Sequence, residues 1–542
     1  MHAPKRPNLG FRQTLVRRTV LALMLCGPAA AAIAKTAPPP TFQQAPLPAR
    51  SQYSYGANRE ALRAQENGTA TAKPVVDISA PASNGKGGRA DGLMPDLSQI
   101  LNRADADIAG DTATGPRMDL ISIYRKALEN DPDWLAAQYE NQAMQEEPNR
   151  ARSALLPQVS FSGTYYKTSN QQGYLGDLAA RPGNKQDYDS KNYVLQLRQP
   201  VYRPQAWAQY QQSRAQLGVA DAQLGKDRNE LARRVAEDYF DLLYQQERLR
   251  LAEAKRSALS VTAAQAERGY SGGVYTLTDV FETRSRLDLS NAEYLETQNA
   301  VRAARRKVES LVNQPIGMLA PIQPEQMLLD GPYPARQEAW IEQAQETSQD
   351  VIGARFNVEI ARQEIAKQRS GHLPTMDLVA QRQYAESDTT NNIGERNTST
   401  SLGVQVSIPL YAGGGVSASV RQAASRLDRA QQQLEGAQRK IQLQVVQEFE
   451  TIQQGIDQIR AYEQAVTSAE ESYKGTRRGI DAGTRTTVDL LNAAQQIFDA
   501  RASLARARYG YALATVRLKA AAGNLGEFDL EGINRWLRPA EL

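Results

Sequence analysis

Residues 268–281 read RGYSGGVYTLTDVF, and 210 positions later residues 478–491 read RGIDAGTRTTVDLL. Arg268, Gly269, Gly273, Thr276 and Asp279 match Arg478, Gly479, Gly483, Thr486 and Asp489 at that one offset. Upstream, Asp133, Arg152 and Pro157 match Asp350, Arg369 and Pro374 at an offset of 217. A chain punctuated twice in the same way is built as two similar halves, and any fold proposed for one half must serve both.

The first half turns strongly helical at residue 118. The run MDLISIYRKALENDPDWLAAQYENQAMQ gives one helix to about Asn130 and a second from about Asp133, broken by Pro132. In both halves a helix then ends at Leu-Pro, and the apolar period switches from 3.6 to 2. Val159, Phe161, Gly163 and Tyr165 alternate with Ser160, Ser162 and Thr164, and Tyr193, Leu195 and Leu197 alternate with Gln196 and Arg198. The second half repeats the pattern with Met376, Leu378 and Ala380, then with Leu402, Val404, Val406 and Ile408. Each half therefore holds a two-stranded hairpin with strands of about 10–13 residues and a polar loop, a height that suits tilted membrane-spanning strands.

After each hairpin a proline-free helical pattern runs on, from about 205 to 268 and from about 415 to 480. At ~1.5 Å per residue such helices reach ~95 Å. Leu231, Val235, Tyr239 and Leu242 mark an apolar stripe on the first, and Val445, Phe449, Ile452, Ile456 and Ile459 one on the second, as coiled-coil packing requires. The repeated glycines then reverse the chain into return helices at about 279–312 and 487–522. Asp279 and Asp489 fall in the first turns of these helices, where the macrodipole favours an acid. The expected layout is a first repeat over 117–330, with a β-hairpin at 157–201 and a helical hairpin at 205–313. A second repeat covers 331–530, with hairpins at 374–411 and 414–523, and a tail follows at 531–542.

The N-terminus reads as a secretory signal peptide over residues 1–34, with Lys5, Arg6, Arg12, Arg17 and Arg18 ahead of an apolar run that ends in Ala32-Ile33-Ala34. A membrane anchor and a lipoprotein signal acylated at Cys26 are the alternatives; Pro28 opposes the first and Leu25 the second. Those 34 residues carry five of the 64 basic residues and none of the 60 acidic ones, so the charge of +4 becomes −1 without them. A nucleic-acid partner loses its support. Cys26 is the only cysteine, which removes disulfides and thiolate metal sites from the remainder. Residues 35–116 form a Pro/Ala/Gly-rich extension without apolar periodicity and are expected to be disordered. A calcium-loop hint at 105–111 fails because Ala109 and Pro116 stand where ligands are needed.

No constellation for catalysis or a cofactor emerges. The one histidine beyond residue 34 is His372, too few for a His-based metal site or triad. Gly413, Gly414 and Gly415 lack dinucleotide or Walker spacing and mark a strand-to-helix bend instead. Four membrane strands leave two unpaired edges, which lipid does not tolerate, so one chain cannot close a barrel and several must join.

On the two Leu-Pro strand starts, the Pro-Leu-Tyr-x-Gly-Gly of 409–414, the Ala-Gly-Thr-Arg-Thr-Thr-Val-Asp-Leu-Leu of 482–491 and the tandem halves, the chain resembles the TolC family of outer-membrane efflux and secretion ducts over roughly 118–525. The resemblance implies a mixed α/β membrane protein that forms a homotrimer: a twelve-stranded β-barrel in outer-membrane lipid and a coiled-coil α-barrel across the periplasm. A periplasmic adaptor and an inner-membrane transporter would dock on the α-barrel. It places the turns of Gly269, Gly272, Gly273, Gly479 and Gly483 at the periplasmic tips. Asp489 would line the pore constriction, with Asn492 where the archetype has a second acid, so the carboxylate ring carries half the charge. Arg485 would link to Thr278 and Asp279 to hold the entrance shut, and Ile480 stands where that lock has a tyrosine. The competing expectation is a periplasmic coiled-coil scaffold that never spans the membrane. The lipid-facing side of the four strands discriminates the two.

Overall fold

The computed structural model describes residues 118–180, 182–387, 394–523 and 525–537. The expected signal peptide at 1–34 with Cys26, the expected extension at 35–116 and the 105–111 stretch lie outside them. Helix α1 (Leu120–Asn130) is capped by Asp119, whose Oδ1 accepts from the Ser122 N–H at 2.9 Å. Helices α2 (Pro132–Gln145) and α3 (Glu147–Ser153) follow, each with proline in its first turn, where no intrahelical bond is lost. Strands β1 (Gln158–Gln172) and β2 (Asn184–Tyr202) form the first hairpin, and helices α4 (Pro204–Ser271) and α5 (Leu277–Val312) the first helical pair. The second half runs α6 (Gln337–Thr347), α7 (Gln349–Arg369), β3 (Thr375–Ser387), β4 (Glu395–Ser407), α8 (Gly415–Asp481) and α9 (Thr487–Ala521). A short α10 (Glu527–Asn534) closes the described chain.

The four strands form one antiparallel sheet in the order β1-β2-β3-β4, which leaves an edge of β1 and an edge of β4 unpaired. The register sets Phe161 opposite Leu195, Tyr193 opposite Tyr384, Leu378 opposite Val404 and Ala380 opposite Leu402. Directly paired residues share a face. One face therefore collects Val159, Phe161, Leu195, Leu378, Leu402, Val404 and Val406, with Gln199, Arg382, Thr398 and Thr400 as interruptions, and the other collects Ser160, Ser162, Gln196 and Gln405. Phe161, Tyr193 and Tyr384 stack in a row on the apolar face, with ring centroids 6.3 and 6.2 Å apart. Among the described residues nothing covers that face: Phe161 is 71% and Leu402 74% exposed. Strands β1 and β2 are longer than the alternation suggests, at 15 and 19 residues, because the polar stretches 168–172 and 184–190 pair through their backbones without an apolar pattern.

Helices α4 and α8 contain 68 and 67 residues, ~100 Å each at ~1.5 Å per residue. Both expected stripes are buried. Leu231, Val235, Tyr239 and Leu242 of α4 meet Val445, Phe449, Ile452, Ile456 and Ile459 of α8 in one core, joined by Leu120, Ile123 and Tyr124 of α1 and by Tyr511, Val516 and Leu518 of α9. Each such aliphatic or aromatic side chain contributes about 1.5–3 kcal/mol by leaving water. Tyr239 is fully buried and donates its O–H to the Ala320 carbonyl at 2.9 Å, tying α4 to the irregular segment after α5. A second, smaller core of Ala254, Ala258, Ala469, Tyr473, Leu490, Ala493, Ile497 and Phe498 lies nearer the glycine turns. Its alanines let the helices approach closely.

Two polar clasps tie the fold together, the first beside the middle of α4 and the second where the sheet meets the helices. Asn534 of α10 accepts from the Leu120 N–H at 3.1 Å and donates to Asp119 Oδ2 at 2.8 Å, closing the first helix on the last. The expected boundary between residues 530 and 531 falls inside α10, whose Ile533, with Leu537 beyond it, is buried in the main core. At the base of the sheet, Asp377 of β3 is 3% exposed and takes hydrogen bonds from Arg198 of β2 and from Arg203, the residue just before α4. That cluster ties both central strands to the start of the long helix.

Candidate functional site at the helical tips

The two glycine turns adopt one backbone scheme. In the first, the Gly269 carbonyl accepts from Val274 N at 2.8 Å and Tyr275 N at 3.3 Å; in the second, the Gly479 carbonyl accepts from Thr484 N at 2.8 Å and Arg485 N at 3.2 Å. Gly273 and Gly483 sit at φ +74° and +73°, the left-handed region that a β-carbon disfavours. Gly272 needs no such freedom, with φ −87°, and Ala482 occupies the same place in the second turn. Gly269 and Gly479 serve a different purpose. A β-carbon on Gly269 would stand 2.1 Å from the Tyr275 ring, and one on Gly479 would stand 2.6 Å from Arg485 Cγ. In both turns a long side chain folds back over a bare backbone.

Each return helix begins with a capping box. Thr276 Oγ1 accepts from Asp279 N at 3.2 Å while Asp279 Oδ2 accepts from Thr276 N at 3.0 Å. Thr486 and Asp489 repeat this at 3.2 and 3.0 Å. The Thr486 N–H, then its hydroxyl, and more weakly the Arg485 charge, hold the Asp489 carboxyl below its ordinary value. Asp489 is thus an ionised carboxylate fixed at the start of a helix through its Oδ2.

The structure brings some of the sequence-named residues together and keeps others apart. No hydrogen bond or ion pair joins Arg485 to Thr278 or Asp279 within the chain; Arg485 covers Gly479 and lies in the field of Asp489. Ile480 packs against the smaller core. Asn492 is exposed and accepts from Arg286 Nη2 at 3.0 Å, while Arg286 Nε is held by Glu282 at 2.8 Å. This is a direct link between the two helical hairpins, and sequence reasoning did not find Arg286. Tyr275 was missed too. Burial, then the carboxylates of Asp279 and Asp481, push its phenol up, which puts Asp481 of the second turn near the first. Its signal was present: Tyr275 stands 210 positions before Arg485.

The arrangement offers fixed negative charge, interhelical polar links and sharp reversals, and no nucleophile–base pair. Among the described residues no group of three or more His, Cys, Asp or Glu side chains could hold a metal ion, and no helix is long and apolar enough to cross a membrane.

Comparison with known proteins gives these features a context. Residues 123–314 and 340–524 match the family described as outer membrane efflux proteins. The proteases secretion protein PrtF of Dickeya chrysanthemi is 32% identical over 426 residues, 78% of this chain and 92% of that one. The outer membrane protein TolC of Escherichia coli K12 is 29% identical over 440 residues, 79% and 87% of the two chains. The solved structure of the outer membrane protein VceC of Vibrio cholerae superposes with a TM-score of 0.63 at 19% identity, covering 74% of this chain and 96% of that one.

Proposed function

The chain belongs to the outer membrane efflux protein family, and from that premise we propose that it is the passive exit duct of a tripartite efflux pump or a type I secretion system. The observation that supports this reading is the sheet: one face is largely apolar, with Gln199, Arg382, Thr398 and Thr400 as its polar members over the central rows, and among the described residues that face is uncovered and both edges are unpaired. A soluble scaffold would expose that face to water, whereas a barrel turns it to lipid. Three copies supply twelve strands, enough to close, and the same copies gather the paired long helices into a tube below the barrel. The two halves of each chain are a tandem repeat, so the tube wall is built from near-equivalent helical hairpins. The chain does no chemistry of its own; an inner-membrane transporter and a periplasmic adaptor drive cargo into it.

The glycine turns are the periplasmic tips in this reading. Asp489 contributes one carboxylate per subunit to a ring at the narrowest point, and Asn492 stands beside it without adding charge. Arg286 on Asn492 and Arg485 beside Asp489 hold the hairpins in the closed spacing, and Arg485 reaches the Thr278–Asp279 turn only when subunits or hairpins close further. Opening swings the hairpin of α8 and α9 away from that of α4 and α5 as rigid bodies. Purified protein in planar bilayers tests the whole reading. The expected result is a trimer by native mass spectrometry with discrete, cation-sensitive conductance steps. A monomer that inserts without conducting returns the chain to the scaffold class.

A further inference from the structure

A cavity of about 360 Å³ lies between the two helical hairpins, bounded by α4, α5, α8 and α9. Its walls are mostly apolar, from Ala258, Leu259, Leu289, Leu490, Ala494 and Phe498. Apart from exposed Ser285, the polar groups around it have partners, with Gln495 donating to Asp499 at 2.7 Å. Lys255 pairs with Glu293 at 2.8 Å at the end away from the turns, and Arg286 is shared by Glu282 and Asn492 at the end near them. Thr262 spends its hydroxyl on the Ala258 carbonyl at 2.9 Å. Ser290 is the exception. It lines the cavity, is 2% exposed, and its Oγ has no hydrogen-bond partner. The buried threonines of the same helix, Thr283 and Thr297, both donate to the carbonyl four residues back, at 2.9 and 2.8 Å; Ser290 does not.

A buried hydroxyl without a partner is destabilising, because it has lost its hydrogen bonds to water and gained none. One water would satisfy it poorly, because an ordered water needs two to four polar partners, and the space is roughly ten times the ~30 Å³ that a water takes up. The volume instead lies in the range of small-molecule sites, which are largely apolar with a few placed polar groups. Both rim cations are neutralised by carboxylates, so a charged occupant gains little. We propose that this cavity binds a neutral, mostly apolar organic molecule of drug size, with one hydrogen-bonding group seated on Ser290 Oγ. The occupant touches both hairpins, beside the Arg286–Asn492 link. The inference concerns binding and stands whether or not the chain conducts.

The probe is 4′-bromobiphenyl-4-ol, which is neutral, apolar and carries one hydroxyl. Crystals of the full protein soaked with it are expected to show a bromine anomalous peak between Leu289, Ala494 and Phe498, with the phenol oxygen on Ser290 Oγ. Calorimetry on the amphipol-solubilised protein is expected to show one saturable site per chain. Ser290→Ala weakens it about five- to tenfold, the value of one hydrogen bond, and Ala494→Trp abolishes it by filling the space. Ala258→Phe fills it from the opposite wall and guards against a folding defect in the first variant, with circular dichroism melts as the control. A peak elsewhere, or binding unchanged in both filled variants, overturns the proposal.

Discussion

Asp489 serves two purposes that a single substitution can separate. As the third helical residue of α9 it completes a capping box, and in the duct reading it is the fixed charge at the constriction. Asp489→Asn keeps an acceptor for the Thr486 N–H and removes the charge. It is expected to leave the melting temperature within a degree or two while weakening block by a trivalent cation at least tenfold in single-channel records. Thr486→Ala does the reverse: it loses about 1 kcal/mol of helix capping and keeps the charge, so block persists. If both variants keep full block, the constriction lies elsewhere. The pH dependence has a definite sign. The folded carboxyl is depressed, so the ionised form is favoured down through the unfolded value of ~3.9, and the cap is lost only as pH falls through the lower folded value. In a ring of carboxylates mutual repulsion works against that depression, so block is expected to hold at neutral pH and to fade only in the acidic carboxylate range. Fading already above about pH 6 would assign it to a group other than Asp489.

At the scale of elements, the link between hairpins lies in Arg286 and Asn492. Asn492→Asp replaces a neutral acceptor with a carboxylate at 3.0 Å from Arg286 Nη2, and charge-assisted hydrogen bonds are about twice as strong as neutral ones. The closed state is expected to lengthen by roughly fivefold, about 1 kcal/mol, while Arg286→Ala shortens it. Movement of both dwell times in one direction would remove this link from gating. A second element-scale prediction concerns Asp377. Asp377→Ala strands two guanidiniums at the base of the sheet, for about 1–3 kcal/mol, less than a fully buried pair because Arg198 and Arg203 are partly exposed. In the duct reading the assembled oligomer is expected to dissociate at lower temperature on native gels, with Asp377→Asn intermediate. These contacts also mark where sequence reasoning stopped. The stripes of Leu231–Leu242 and Val445–Ile459 were legible because a 3.6-residue period is a local signal, and the turns because a positive φ selects glycine. Asp377 meets Arg203 across 174 positions and Asn534 meets Asp119 across 415. No local period records such a pairing. The extended ends of β1 and β2 stayed hidden for a related reason, since backbone pairing leaves no mark on polar side chains.

For the whole molecule, the decisive quantity is what covers the apolar face of the sheet. From Met376 to Tyr384 that face spans nine residues of β3, ~26 Å along the strand at ~3.3 Å per residue, or ~20 Å of height at a tilt of ~40°, most of the ~25 Å apolar band of membrane barrels. A lysine there must leave lipid or drag water in, at ~2–4 kcal/mol near the middle of the bilayer. Val404→Lys puts one such charge in every copy, and closure multiplies the penalty by the number of copies. Gln405→Lys, one position on, points to the opposite face and meets water in a barrel interior. The expected outcome is loss of the assembled species from the outer-membrane fraction for Val404→Lys and its retention for Gln405→Lys. A scaffold with both faces in water predicts equal tolerance, since lysine at either exposed position would then be solvated. The contrast between neighbours controls for local strand propensity, because both substitutions place the same residue in the same strand. Deleting residues 35–116 in the same background should leave the oligomer intact, as assembly rests on the strand edges of β1 and β4 and on the helical stripes, all of which lie after that segment.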